Sequence, residues 1–321
     1  MGPKRTETGI APSRAVCVTG MHRSGTSFIA GALRFLGVSL GDPTQLLKPG
    51  PDNPLGYFEV AALMQLDDEV LAHCGGAWDQ PPVFDPGWEL DPALDPFRAR
   101  AAEILDTTFG PAADRPPVIA WKDPRLSLLL PFWRTVTPIA ATVVVVRDPT
   151  EVVASLGARK YAVDAAQAAS LWLRYVYAAV ANDPDCLVVR HTDIFEDLSA
   201  TVARLADHLG LPAPDADAEA AVRAHLDTGL RHHDAAKPAP EIENPLLDLA
   251  RAIWNGGEID LGAVPVIVAD LLARGWLRPP LDGELLARAR ADVVAARETL
   301  RKTNGRVAAL EAQLAERSAR G

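Results

Sequence analysis

Residues 16–28 read Val16-Cys17-Val18-Thr19-Gly20-Met21-His22-Arg23-Ser24-Gly25-Thr26-Ser27-Phe28. A β-branched run feeds a loop bounded by two glycines, and an apolar helical pattern follows. Backbone N–H groups at such a helix start point at one anion, and the helix dipole adds partial positive charge. The stretch predicts a strand, a phosphate-binding loop and a helix.

The detail of the loop narrows the anion. A Walker A loop reads G-x-x-x-x-G-K-[ST], its lysine reaching the terminal phosphates of a nucleotide. Gly20 and Gly25 have that spacing, but Thr26 stands at the lysine position. The cation lies inside the loop, at Arg23. This favours an anion other than the metal-bound triphosphate of ATP.

Outward from the loop, residues 141–146 form a β-branched run of the kind that fills a central parallel strand buried on both faces. Residues 118–121 and 187–190 are shorter strands. Helical patterns separate them at 24–36, 59–73, 96–109, 126–133, 162–181 and 199–209, and a further helix starts near Thr150. Asp95 is the expected N-cap of the helix at 96–109. Strands alternating with helices predict an α/β fold: three layers with a central parallel sheet, like the P-loop nucleotide-binding proteins, and a helical C-terminal extension. Ligands of such sheets bind beyond the carboxyl ends of the strands. The Gly20 loop, Lys122-Asp123-Pro124-Arg125 and Arg147-Asp148-Pro149 all lie there.

The organisation expected is a disordered tail at 1–14, an α/β domain at 15–280 that is helical from about 211, and an amphipathic helix at 281–321. In that helix Leu286, Val293, Leu300, Val307 and Leu314 recur at heptad spacing, with Ala289, Ala296, Thr303 and Leu310 on the other seam position. This predicts a coiled coil and a homo-oligomer. The alanines and Gly305 weaken the seam, so a solitary helix packed on its own domain is the alternative.

Composition excludes some classes. The 321 residues carry a net charge of −10, which argues against a general nucleic-acid surface but leaves room for a local basic pocket. Cys17, Cys74 and Cys186 show neither metal spacing nor a disulfide pattern. The N-terminus has no signal-type apolar core, and no stretch has transmembrane length, so a cytoplasmic protein is expected.

A second anion motif follows the long strand. Arg147 ends it, and Ser155 lies on the next helix. A guanidinium and a hydroxyl placed so can converge on one phosphate, the arginine bidentately.

With two such motifs in order, residues 15–210 or so resemble the PAPS-dependent sulfotransferases. These move a sulfuryl group from 3′-phosphoadenosine 5′-phosphosulfate to an acceptor. His22-Arg23-Ser24-Gly25-Thr26-Ser27 is similar to that family's 5′-phosphosulfate loop, with His22 where proline is usual. Arg147 and Ser155 match its 3′-phosphate motif in type and spacing. Trp121-Lys122-Asp123-Pro124-Arg125 sits where the family places an active-site strand. The resemblance implies PAPS as donor and residues 22–27, Arg147 and Ser155 as its contacts. It also implies sulfuryl transfer to a hydroxyl or amine, with no metal. Arg23 is then the choice for stabilising the departing phosphate, and Lys122 for touching the bridging oxygen or the acceptor.

Transfer needs a general base. The histidine that cytosolic members carry two positions after the lysine corresponds here to Pro124. Other branches use a glutamate after the first helix, and Asn53-Pro54-Leu55-Gly56-Tyr57-Phe58-Glu59 fits that pattern. Glu59 is the candidate, with Asp123 and His22 as alternatives. A first-turn glutamate also complements a helix dipole, and Asp123 has Arg125 as a nearby partner.

The acceptor, a small molecule or carbohydrate, is not specified. The loop at 41–57 is expected to shape its site. The loop at 75–95, with Trp78 and Trp88, either lines the cleft or is pinned to the body by its tryptophans. Arg231-His232-His233 is a further candidate for the 3′-phosphate. Two competing functions remain: a nucleotide or small-molecule kinase sharing the strand–loop–helix start, and a non-catalytic scaffold assembled by the C-terminal helix.

Overall fold

Four strands form one parallel sheet in a computed structural model of the chain: β1 (Arg14–Thr19), β2 (Val118–Lys122), β3 (Ile139–Val146) and β4 (Leu187–Arg190), in the order β2-β1-β3-β4. The structure describes residues 13–50, 53, 55–157 and 163–230, and beyond them only 247, 248, 250, 251 and 254. The tail before Ser13, the 231–233 triplet and the heptad segment at 281–321 lie outside the described residues. Two units divide the chain, Met1–Glu241 and Ile242–Gly321. All elements below belong to the first. In the second, Leu247 and Ala250 are buried and Asp248 pairs with Arg251.

The sheet follows from side-chain alternation. Val16 and Val18 of β1, Val118 and Ala120 of β2, and Val143 and Val145 of β3 join one core. That core takes in α1 (Thr26–Leu33), α8 (Leu198–His208) and α9 (Ala216–Leu230). The intervening residues face the other side, where α4 (Leu126–Val136) packs on β1 and α6 (Ala165–Asn182) on β3. With helices on both faces, all of β2, residues 15–19 of β1 and residues 142–146 of β3 are buried, which is why these stretches read as apolar runs. Cys17 is one of these core residues, and burial pushes its thiol well up.

The remaining helices are α2 (Ala61–His73), α3 (Asp95–Phe109), α5 (Pro149–Gly157) and the short α7 (His191–Glu196). Local chemistry sets their ends. Asp148 accepts hydrogen bonds from the Thr150 and Glu151 N–H groups (2.7 and 3.3 Å) and starts α5. Asp164 caps α6 through the Gln167 N–H. Asp95 is not a cap: a 3₁₀ turn over Pro92–Leu94 runs straight into α3, and Asp95, its first residue, pairs with Arg98 instead. Pro131 sits inside α4 and has no N–H for Ser127; the Ser127 carbonyl takes the Asn182 side-chain amide instead (2.9 Å), tying α4 to α6.

The strand order places a switch point between β1 and β3. The chain leaves β1 toward β2 and leaves β3 toward β4, so connections diverge and a crevice opens at the carboxyl ends. Among the described residues no helix is long and apolar enough to cross a membrane.

Candidate active site

The Gly20–Ser27 loop leaves β1 at that switch point. Gly20 has φ +139°, and a Cβ there would lie 2.1 Å from the Val145 carbonyl oxygen of β3. Only glycine lets the loop cross so close to the neighbouring strand. Arg23 holds φ +71°, a left-handed conformation costing of order 1–3 kcal/mol in a non-glycine residue, and such strain clusters at functional sites. Gly25, also left-handed, is the N-cap of α1, which has no side-chain cap. Phe28 N–H returns to the Gly25 carbonyl (3.0 Å), and the leading N–H groups of an uncapped helix start of this kind suit an anion. Ser24 Oγ is buried with no hydrogen-bond partner among the described residues. A strained turn, an uncapped helix start and an unsatisfied buried hydroxyl fit an anion in the loop.

The two motifs meet. Arg23 Nε donates to Ser155 Oγ on α5 at 2.9 Å, and Arg147 Nη1 donates to the Arg23 carbonyl at 3.3 Å. Residues 132 and 124 positions apart thus share one cluster. Arg147 Nε also pairs with Glu151 (2.6 Å), and its carbonyl is held by Trp172 Nε1 (2.9 Å).

Glu59 and Lys122 form an ion pair at the end of β2, with side chains 11% and 2% exposed. Lys122 is the last residue of β2 and lies opposite Val18 of β1 in register. Glu59 precedes Val60, the N-cap of α2. Its backbone is fixed on both sides: Leu47 N–H donates to the Glu59 carbonyl (2.8 Å), and Phe58 holds φ +55°. Ser27 Oγ donates to the Tyr57 carbonyl (3.2 Å), which joins the Glu59 segment to the Gly20–Ser27 loop.

The two alternative bases have other partners. Asp123 is buried, and both its oxygens accept from Arg125 Nη1 (3.0 and 3.3 Å). Burial raises its carboxyl above the ordinary range, and Arg125 opposes that shift. The His22 ring lies 4.6 Å from that of Trp78 and 5.7 Å from that of Tyr175.

Of the two readings of the loop at 75–95, the structure shows the pinning. The loop is pinned to α6, though by backbone carbonyls more than by tryptophans. Tyr175 Oη donates to the Trp78 carbonyl (2.8 Å), Arg174 to Pro81 and Pro82, and Gln167 to Asp79 (3.1 Å). Trp78 in turn stands against His22, so the pinned loop packs on the Gly20–Ser27 loop.

One neighbour of the loop was missed in the sequence. His191 opens α7 directly after β4, and its Cδ2 lies 2.7 Å from where a Gly25 Cβ would be. The available signal was its place at a strand's carboxyl end, the same signal that exposed Lys122 and Arg147. Among the described residues no cluster of three His, Cys, Asp or Glu side chains is arranged to hold a metal ion.

A family model described as the sulfotransferase family matches residues 15–215. Among solved structures, the chain is similar to sulfotransferase STF9 from Mycobacterium avium, with 15% identity over 78% of this chain and 79% of that one and a TM-score of 0.45. STF1 from Mycobacterium tuberculosis H37Rv gives 18% identity, 77% and 78% coverage and a TM-score of 0.39. The sulfotransferase domain of the Synechococcus PCC 7002 olefin synthase gives 16% identity, 87% and 100% coverage and a TM-score of 0.43. No curated protein matches the chain.

Proposed function

Because the chain belongs to the sulfotransferase family, we propose that it moves a sulfuryl group from 3′-phosphoadenosine 5′-phosphosulfate to a hydroxyl or amine of a small-molecule or carbohydrate acceptor. The observation that carries the reading is the meeting of Arg23, Ser155 and Arg147 at the switch point. A donor with a 5′-phosphosulfate and a 3′-phosphate needs two anion sites on one crevice, and the two motifs supply them.

In this reading residues 22–27 bind the 5′ end of the donor through N–H groups and hydroxyls. Arg147 and Ser155 bind the 3′-phosphate. Glu59 takes the acceptor's proton as the acceptor oxygen or nitrogen forms its bond to sulfur. The bond from sulfur to the bridging oxygen breaks in line, and the electron pair stays on the 5′-phosphate. Arg23 and the loop N–H groups stabilise that charge, and Lys122 stands at the bridging oxygen. Positioning and charge stabilisation carry such a transfer. Lys122 also keeps the Glu59 carboxylate company until the acceptor arrives, so neither charge is buried alone.

Calorimetric titration tests the donor assignment. Adenosine 3′,5′-bisphosphate is expected to bind and ATP–Mg²⁺ is not; the opposite result makes the chain a kinase, and binding of neither favours a scaffold. Arg147→Ala is expected to weaken the bisphosphate by about 10- to 100-fold, the worth of a charge-assisted contact of roughly 1.5–3 kcal/mol. Turnover at saturating donor should change little. An unaltered dissociation constant would remove Arg147 from the site.

A further inference from the structure

We propose that Arg125 and Asp68 form a positioning clamp that sets Glu59 against Lys122. This rests on the reading that the pair works on the acceptor. Arg125 follows Lys122 by three residues, and its side chain is only 8% exposed. Nε and Nη2 donate to the two oxygens of Asp68 (2.6 and 3.2 Å), while Nη1 donates to Asp123. The Arg125 backbone N–H also donates to Asp123 Oδ1 (2.8 Å). A planar fork held by two carboxylates is fixed in position and in plane. All three guanidinium nitrogens are engaged within the protein, so Arg125 is a structural cation and not an anion ligand.

Asp68 lies on α2, and its neighbour Asp67 accepts a hydrogen bond from Trp133 Nε1 of α4 (2.8 Å). Successive helical residues point about 100° apart. The two aspartates therefore grip α2 from two directions, against sliding and against rotation. Glu59 lies two residues before this helix, whose rise from Ala61 to Asp68 is roughly 10 Å. Chain and ion pairs close a ring: Glu59, α2, Asp68, Arg125, Asp123, Lys122 and back to Glu59. With the Asp68 side opened, Glu59 and Lys122 still attract each other, but among the described residues α2 loses its one tie to the Lys122–Arg125 segment and keeps only those of Asp67 to Trp133 and Glu69 to Arg100 of α3. A displacement near 1 Å at a reacting group costs up to about 10²-fold in rate.

The test is Asp68→Ala, with Asp68→Glu as rescue. The Asp68 side chain is 44% exposed, and Arg125 keeps Asp123, so the variant leaves no buried charge alone. Expected for Asp68→Ala are a kcat reduced about tenfold, an unchanged bisphosphate dissociation constant, and a displaced Glu59–Lys122 pair in its crystal structure. Asp68→Glu restores most of the rate. An undisplaced pair with unchanged kcat overturns the clamp, and so does a parallel loss of kcat and bisphosphate affinity, which marks general loosening. If the wild type transfers nothing from the phosphosulfate donor, the functional reading fails, and the position of the Glu59–Lys122 pair in the two crystal structures decides the clamp by itself.

Discussion

Glu59→Gln is expected to lower sulfuryl transfer by about 10²- to 10⁴-fold, the usual worth of a positioned general base, while adenosine 3′,5′-bisphosphate binds as in the wild type. The amide keeps an oxygen for Lys122 but cannot take a proton from the acceptor. It also leaves the Lys122 charge without a counter-charge in a buried place. Removing one partner of a buried pair costs about 3–5 kcal/mol, and the retained amide contact should reduce that cost. A lower melting temperature is therefore expected alongside the lost rate. Bisphosphate titration on the same sample separates the two, since an unfolded variant binds nothing. Glu59→Asp keeps the charge but withdraws the carboxylate by one methylene, and should fall between the two. Wild-type turnover in Glu59→Gln would move the base to Asp123 or His22. The geometry favours Glu59, because Asp123 already spends both oxygens on Arg125 and His22 lies against Trp78 and Tyr175.

What could be read from the chain divides by the range of the forces involved. The strand–loop–helix at 16–28 and the run at 141–146 were legible because burial on both faces leaves a local signature, an unbroken β-branched stretch. Lys122 and Arg147 were legible as candidates because they terminate such runs. The helical pattern begins at Ser24, two residues before α1, since nothing local shows that Gly25 turns left-handed. Helix α7 has six residues, too few for a period to declare itself. The pairing of Arg23 with Ser155 and the bridge from Arg125 to Asp68 span 132 and 57 positions, and no pattern within one segment encodes them. Asp68 was invisible for a further reason: on an amphipathic helix a charged residue reads as part of the solvated face. The loop at 75–95 was ambiguous because its anchors are carbonyls, which every residue carries, and their donors belong to α6.

Gly20→Ala is expected to be the most damaging single-methyl change among the described glycines. The added Cβ meets the Val145 carbonyl oxygen at 2.1 Å, and the carbonyl carbon and amide nitrogen of Val145 at 3.1 and 3.2 Å. These are backbone atoms of β3, which is hydrogen-bonded to β1 on one side and β4 on the other, so they cannot turn aside as a side chain would. The backbone must also hold φ +139°, which L side chains rarely adopt. Strain and overpacking of about 1–3 kcal/mol each predict a stability loss near 2–6 kcal/mol, read as a shift of the urea midpoint. The loop can relieve the clash only by lifting off β3, which carries Arg23 away from Ser155 and swings the loop N–H groups off the anion. Losing two charge-assisted contacts predicts bisphosphate binding weakened by about 10²-fold or more. Gly37→Ala is the control, because Gly37 also has positive φ (+81°) but no atom within 4 Å of its added Cβ. It carries the conformational cost without the collision, and should retain full donor affinity. If Gly20→Ala matches Gly37→Ala in both stability and affinity, close packing against β3 is not what shapes the phosphate loop. If it loses both as expected, the requirement for glycine at position 20 is set by the neighbouring strand.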